Sequence, residues 1–145
     1  VAPALDELEL GPDDVDLDLP GELPPVLADP VLLQRVVVNL LANAARYAPE
    51  GTHVRVAASA FAGVVELRVA DHGPGIPADR RDEVFQPFQR LGDTDNETGL
   101  GLGLALARGF TEGMGGTIEV DDTPGGGLTV VVRLPIAGHV GVEIR

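Results

Sequence analysis

Apolar and polar positions recur along this chain with two periods, and the changes of period mark its elements. In residues 29–51 (DPVLLQRVVVNLLANAARYAPEG), Leu33, Val36, Val37, Leu40, Leu41 and Ala44 fall at i, i+3, i+4, i+7, i+8 and i+11. That is the buried stripe of an amphipathic helix. Asp29 suits its N-cap and Pro30 its first helical position, and Pro49, Glu50 and Gly51 end it. Strict alternation in 15–19 (VDLDL) predicts a strand, and its acidic outward side fits a sheet edge. Residues 52–60 and 64–70 read as two strands joined by a turn at Ala62 and Gly63, with His53 a surface residue at the start of the first. Residues 78–85 have the pattern of a short helix that stops before Pro87. Residues 100–114 are apolar and Ala-rich, a buried helix crowded with glycine at its start and closed by Gly115 and Gly116. Residues 117–121 and 128–134 are two last strands around a turn at 123–127.

Adjacent strands joined by short turns imply a mixed, mostly antiparallel sheet with helices on one face. The fold class is therefore an α/β two-layer sandwich rather than a doubly wound fold. The patterned part is expected to be one domain over 15–135, with 1–14 a linker remnant and 136–145 a tail. At 145 residues such a domain has room for a sizeable core.

Composition narrows the chemistry. Ten Arg, no Lys and 23 acidic residues leave a net charge of -13, which argues against a nucleic-acid surface. A phosphate ligand would have to be met locally, by amides, a metal and a few guanidiniums. Without cysteine there is no disulfide, thiolate nucleophile or zinc–thiolate site. No run reaches the length of a membrane span and no signal peptide is visible. The chain starts without Met and is expected to be part of something longer.

Three places carry candidate chemistry. Opposite the apolar stripe of 29–51 lie Arg35, Asn39, Asn43 and Arg46, with Tyr47 at the edge. Asn on a helix is often mere surface, but two carboxamides one turn apart between guanidiniums suit an anionic, metal-bound ligand. Asp71-x-Gly73-x-Gly75 ends an apolar strand. Asp there is either a turn former or a pocket acceptor for an exocyclic amine such as adenine N6, with glycines admitting a flat base. Its overlap with a dinucleotide G-x-G-x-x-A fingerprint fails, because prolines interrupt the helix start and no parallel strand–helix–strand unit follows. Gly99, Gly101 and Gly103 open a helix. They serve either packing or phosphate binding through free N–H groups and the helix dipole. A Walker loop is excluded by the absence of Lys.

Taken together, NLLANAARY, DHGPG, FQPF and GLGLGLA, in that order, resemble the N, first glycine, F and second glycine boxes of the ATP-binding domain of sensor histidine kinases, in the GHKL superfamily. The stretch from Phe88 to Val131 is similar to the Kdp-type potassium-responsive sensor kinases. The resemblance implies a Bergerat-like fold, ATP and Mg²⁺. It implies that Asn43 ligates the metal, Asn39 supports metal and phosphates, Arg46 contacts phosphate and Tyr47 borders the purine or ribose. Asp71 would take adenine N6–H, with Gly73, Gly75 and Ile76 along the base and Thr129 joined to Asp71 through water. Gly99, Leu100, Gly101, Leu102, Gly103 and Leu104 would hold the phosphate end. Residues 90–98, from Arg90, would form a lid anchored by Phe85 and Phe88.

The implied partners are a histidine-bearing dimerisation domain and a response regulator. The implied parent is a membrane-bound homodimer, with this domain in the cytoplasm. One departure is plain. His53, His72 and His139 precede Val, Gly and Val, whereas the family's phosphoacceptor precedes an acidic residue, so the acceptor is expected elsewhere. The alternative within the superfamily is an anti-sigma serine kinase or a hydrolysing ATPase. There a Glu typically stands one turn before the metal-binding Asn, where this chain has Asn39.

Overall fold

The computed structural model describes residues 2–11, 14–26, 28–77, 79, 84–85 and 103–136. The described elements are α1 (Ala2–Glu7), β1 (Val15–Asp18), α2 (Pro30–Tyr47), β2 (Val54–Phe61), β3 (Val64–Ala70), α3 (Gly103–Gly113), β4 (Thr117–Asp122) and β5 (Leu128–Pro135). The strands form one sheet in the order β1-β2-β3-β5-β4. β1 runs parallel to β2 and the other pairs are antiparallel, the mixed and mostly antiparallel sheet expected.

α2 starts where the sequence places it. Asp29 caps it, its carboxylate accepting from the Val31 and Leu32 amides at 2.8 and 3.2 Å. It stops at Ala48, which is extended at ψ 123 because the following Pro49 disfavours helical geometry in the residue before it. All six stripe residues are buried, and so is Val38. The run Val36–Val37–Val38 is poor in helix propensity, by less than about 1 kcal/mol per residue. Each such side chain gains about 1.5–3 kcal/mol on full burial, so packing decides.

Strand alternation sorts the sheet into two faces. Val65, Leu67 and Val69 of β3 join Val130, Val132 and Leu134 of β5 and the α2 stripe in one core. The opposite face carries an ion network. The Glu66 carboxylate accepts from Arg68 Nε at 2.5 Å and Arg133 Nε at 2.9 Å, and Arg133 also donates to Glu119 at 2.6 Å. Burial opposes the charge of Glu66, but the bonds and charges of Arg68 and Arg133 outweigh it and hold its carboxyl below the ordinary range.

Glycine geometry closes α3. Gly115, at φ +82, donates to Glu112 O, and Gly116 donates to Thr111 O, a Schellman end. A Cβ on Gly116 would overlap the Arg133 carbonyl oxygen, so only glycine lets β4 leave the helix here.

One expectation needs correction. Residues 2–7 are not an unpatterned end. They form α1, whose Leu5 packs on the core together with Leu8 and Leu10 beyond it, while Glu7 accepts from Gln34 and Arg35 of α2. Six residues are too few to show a periodicity or to hold a helix alone; the contact with α2 stabilises it. Leu17 is 51% exposed, because edge strand β1 buries only Val15. The helix expected at 78–85, and the tail after residue 136, lie almost wholly outside the described residues.

Candidate nucleotide site

Asp71 follows β3 directly and keeps the inward phase of Val65, Leu67 and Val69. Its residue is only 3% exposed. The backbone ties it to β5, Asp71 N donating to Leu128 O at 2.9 Å. Its Oδ1 accepts two amides, from Gly73 at 2.8 Å and from Leu128 at 3.2 Å. Among the described residues no donor reaches Oδ2. A carboxylate oriented by two amides on one oxygen presents the other as an acceptor, the arrangement an exocyclic amine requires.

One of the glycines beside it is shaped by contact with the turn before β5. Gly75 is at φ +70, and a Cβ there would lie 3.2 Å from Gly127 O. Gly73 and Ile76 are half-buried in the same loop, Ile76 against the core.

On α2, Asn39, Asn43 and Arg46 are all half-buried. Tyr47 is the last residue of that helix. Arg35 does not join this face toward a ligand, because its guanidinium is paired with Glu7.

At the other end, Gly103 opens α3 as described. Leu104 packs in the core, so its side chain holds the helix. Phe85 is half-buried against the core, and the Arg108 guanidinium stands 5.4 Å from its ring centroid, within cation–π range. Phe88, Arg90, the rest of the expected lid, Gly99, Leu100, Gly101 and Leu102 lie outside the described residues.

Thr129 stands one position beyond Leu128, whose amide meets Asp71. It has the phase of Val131 and Arg133, the face opposite Asp71, and its hydroxyl pairs with that of Thr123 at 3.0 Å. A one-residue offset along a strand reverses the face. The residues that do meet Asp71 are Gly127 and Leu128, which sequence reading passed over. The run Gly125–Gly126–Gly127 before the last strand was the available signal.

The model of the "Histidine kinase-, DNA gyrase B-, and HSP90-like ATPase" family matches residues 28–138. The chain belongs to that ATPase family. Within it, the chain is 68% identical over 134 residues to the sensor protein KdpD of Rathayibacter rathayi, covering 92% of this chain and 16% of that protein. It is 52% identical over 124 residues to KdpD of Mycobacterium tuberculosis, covering 86% and 14%. The chain thus spans about a sixth of the length of these relatives. Among solved members, the mycobacterial sensor histidine kinase MprB superposes with a TM-score of 0.80 at 31% identity, covering 93% of this chain and 92% of that one. Full-length ShkA, solved in complex with AMPPNP, superposes with a TM-score of 0.73 at 29% identity, covering 94% and 28%. The chain is thus an ATP-binding unit of that family. Among the described residues no helix is long and apolar enough to cross a membrane.

Proposed function

We propose that this chain binds Mg–ATP and passes the γ-phosphate to a histidine on a dimerisation segment outside this sequence, within a potassium-responsive sensor kinase. The observation that carries the reading is the buried Asp71 carboxylate, its Oδ1 taken by two amides, on the sheet face that α2 covers. Asp71 orients the adenine. Gly73, Gly75 and Ile76 border it, and Arg46 meets phosphate.

The residues present fit magnesium. Among the described residues no three His, Cys, Asp or Glu side chains cluster to hold a metal. Mg²⁺ would rest on the carboxamide oxygen of Asn43, a hard donor, supported by Asn39, and on the phosphates, as this water-retaining ion commonly does. When bound, the ion neutralises phosphate charge, which matters in a chain of net charge -13. The phosphoacceptor segment, a response regulator and a membrane-bound homodimeric parent with this unit on the cytoplasmic side complete the reading.

The test is transfer of label. With [γ-³²P]ATP and magnesium, the chain should label an added histidine-bearing dimerisation domain in an acid-labile form and should not label itself. Acid-labile phosphate on this chain alone would overturn the reading.

A further inference from the structure

We propose that Gly127, at the end of the β4–β5 turn, is a positioning residue for Asp71, and that this turn sets the site's discrimination between purine bases. The inference rests on the nucleotide reading above. The turn lies against the base loop at backbone level. Gly127 is at φ +123, and a Cβ there would overlap the Asp71 carbonyl oxygen and stand 2.8 Å from Asp71 C and 2.9 Å from His72 Cα. Its own carbonyl faces Gly75, so residues 71, 127 and 75 stack without side chains between them. The next residue supplies the Leu128 amide that holds Asp71 Oδ1.

The turn is itself pinned. Thr123 N donates to Gly127 O at 3.0 Å, Gly126 N donates to Thr123 O at 2.9 Å, and the buried Thr123 and Thr129 hydroxyls pair at 3.0 Å. Thr129 acts on the base through the turn. A carboxylate held on Oδ1 by the Leu128 and Gly73 amides offers Oδ2 in one direction. It pairs with the 6-amino group of adenine and repels the 6-oxo group of a hypoxanthine base. Loosening the turn frees the carboxylate to rotate, and the preference for a 6-amino base declines before the fold does.

The experiment compares affinities for ATP and inosine triphosphate in the unaltered 145-residue chain, in Gly127→Ala and in Thr129→Val, with thermal melting of each. The unaltered chain should favour ATP by tenfold or more. Gly127→Ala should lose about tenfold in ATP affinity while inosine triphosphate changes less than twofold. Thr129→Val, nearly isosteric, should shift the ratio the same way by about threefold, and it carries the test should Gly127→Ala not fold. Folded variants that keep the parent ratio, or that weaken both nucleotides equally, would overturn the positioning role alone. An unaltered chain that binds the two triphosphates equally, or binds neither, would overturn the nucleotide reading and this proposal with it.

Discussion

Single side chains here are judged by what their polar atoms meet. Asp71 is buried yet meets two amides; Thr111 is buried and its hydroxyl meets nothing among the described residues. These call for opposite outcomes. Asp71→Ala should weaken ATP binding by about 1–3 kcal/mol, since a donor on the base then loses its acceptor, and calorimetric titration checks it. Thr111→Val keeps the shape and removes the orphan hydroxyl. It should stabilise the fold by about 1 kcal/mol, a rise of about 4 °C in melting temperature, with ATP affinity unchanged. A lower melting temperature would mean that the hydroxyl has a partner in solution.

At the scale of elements, the β2–β3 hairpin is closed by Ala62 and Gly63, both at positive φ, 49° and 80°. Two-residue turns of this kind favour Asn-Gly, because Ala is strained in the left-handed region. Ala62→Asn should therefore stabilise the domain by about 0.5–1 kcal/mol, readable in urea unfolding. The ion network across β3, β5 and β4 predicts a pH effect. The folded Glu66 carboxyl lies below its ordinary value of 4.5. The unfolded chain thus binds more protons over that interval, and stability falls as pH drops. The contribution of Glu66 is complete above about pH 5 and is lost as pH descends through its folded value. Glu66→Gln should cost about 1–2 kcal/mol at pH 7, discounted because both arginines are partly exposed. The same variant should flatten the acid limb of the stability curve. An unchanged limb would remove Glu66 from the account.

For the whole molecule, the deciding residue is the carboxamide at position 39. Activating water or a serine hydroxyl needs a base, because either must lose a proton to become a good nucleophile. Neutral imidazole already presents a lone pair. Asn39 cannot take up a proton near neutral pH, so the chain should release ADP from ATP at a negligible rate. Turnover near 1 s⁻¹ or faster, on the order of an ordinary enzyme, would move the chain to the hydrolysing class.

Elements with a long period or a clear punctuation were legible in the sequence: the α2 stripe with its Asp29 cap, the 62–63 turn, the glycine close of α3 and the acidic edge strand. Each is a local contest between backbone and side chain, settled within a few residues. The same locality made Asp71 and the Asn39–Asn43 face visible as candidates. Only the tertiary structure decided the rest. α1 exists because Leu5 and Glu7 have α2 to pack on, and Arg35 points to Glu7 rather than to a ligand. Thr129 turns away from Asp71 because strand phase is counted from the register with β3, where Ala70 and not Asp71 faces it. The partners of the Asp71 carboxylate are backbone amides, and an amide carries no residue signature. Contacts made by the chain's common backbone across 57 positions, as between Asp71 and Leu128, are invisible until the strands are paired.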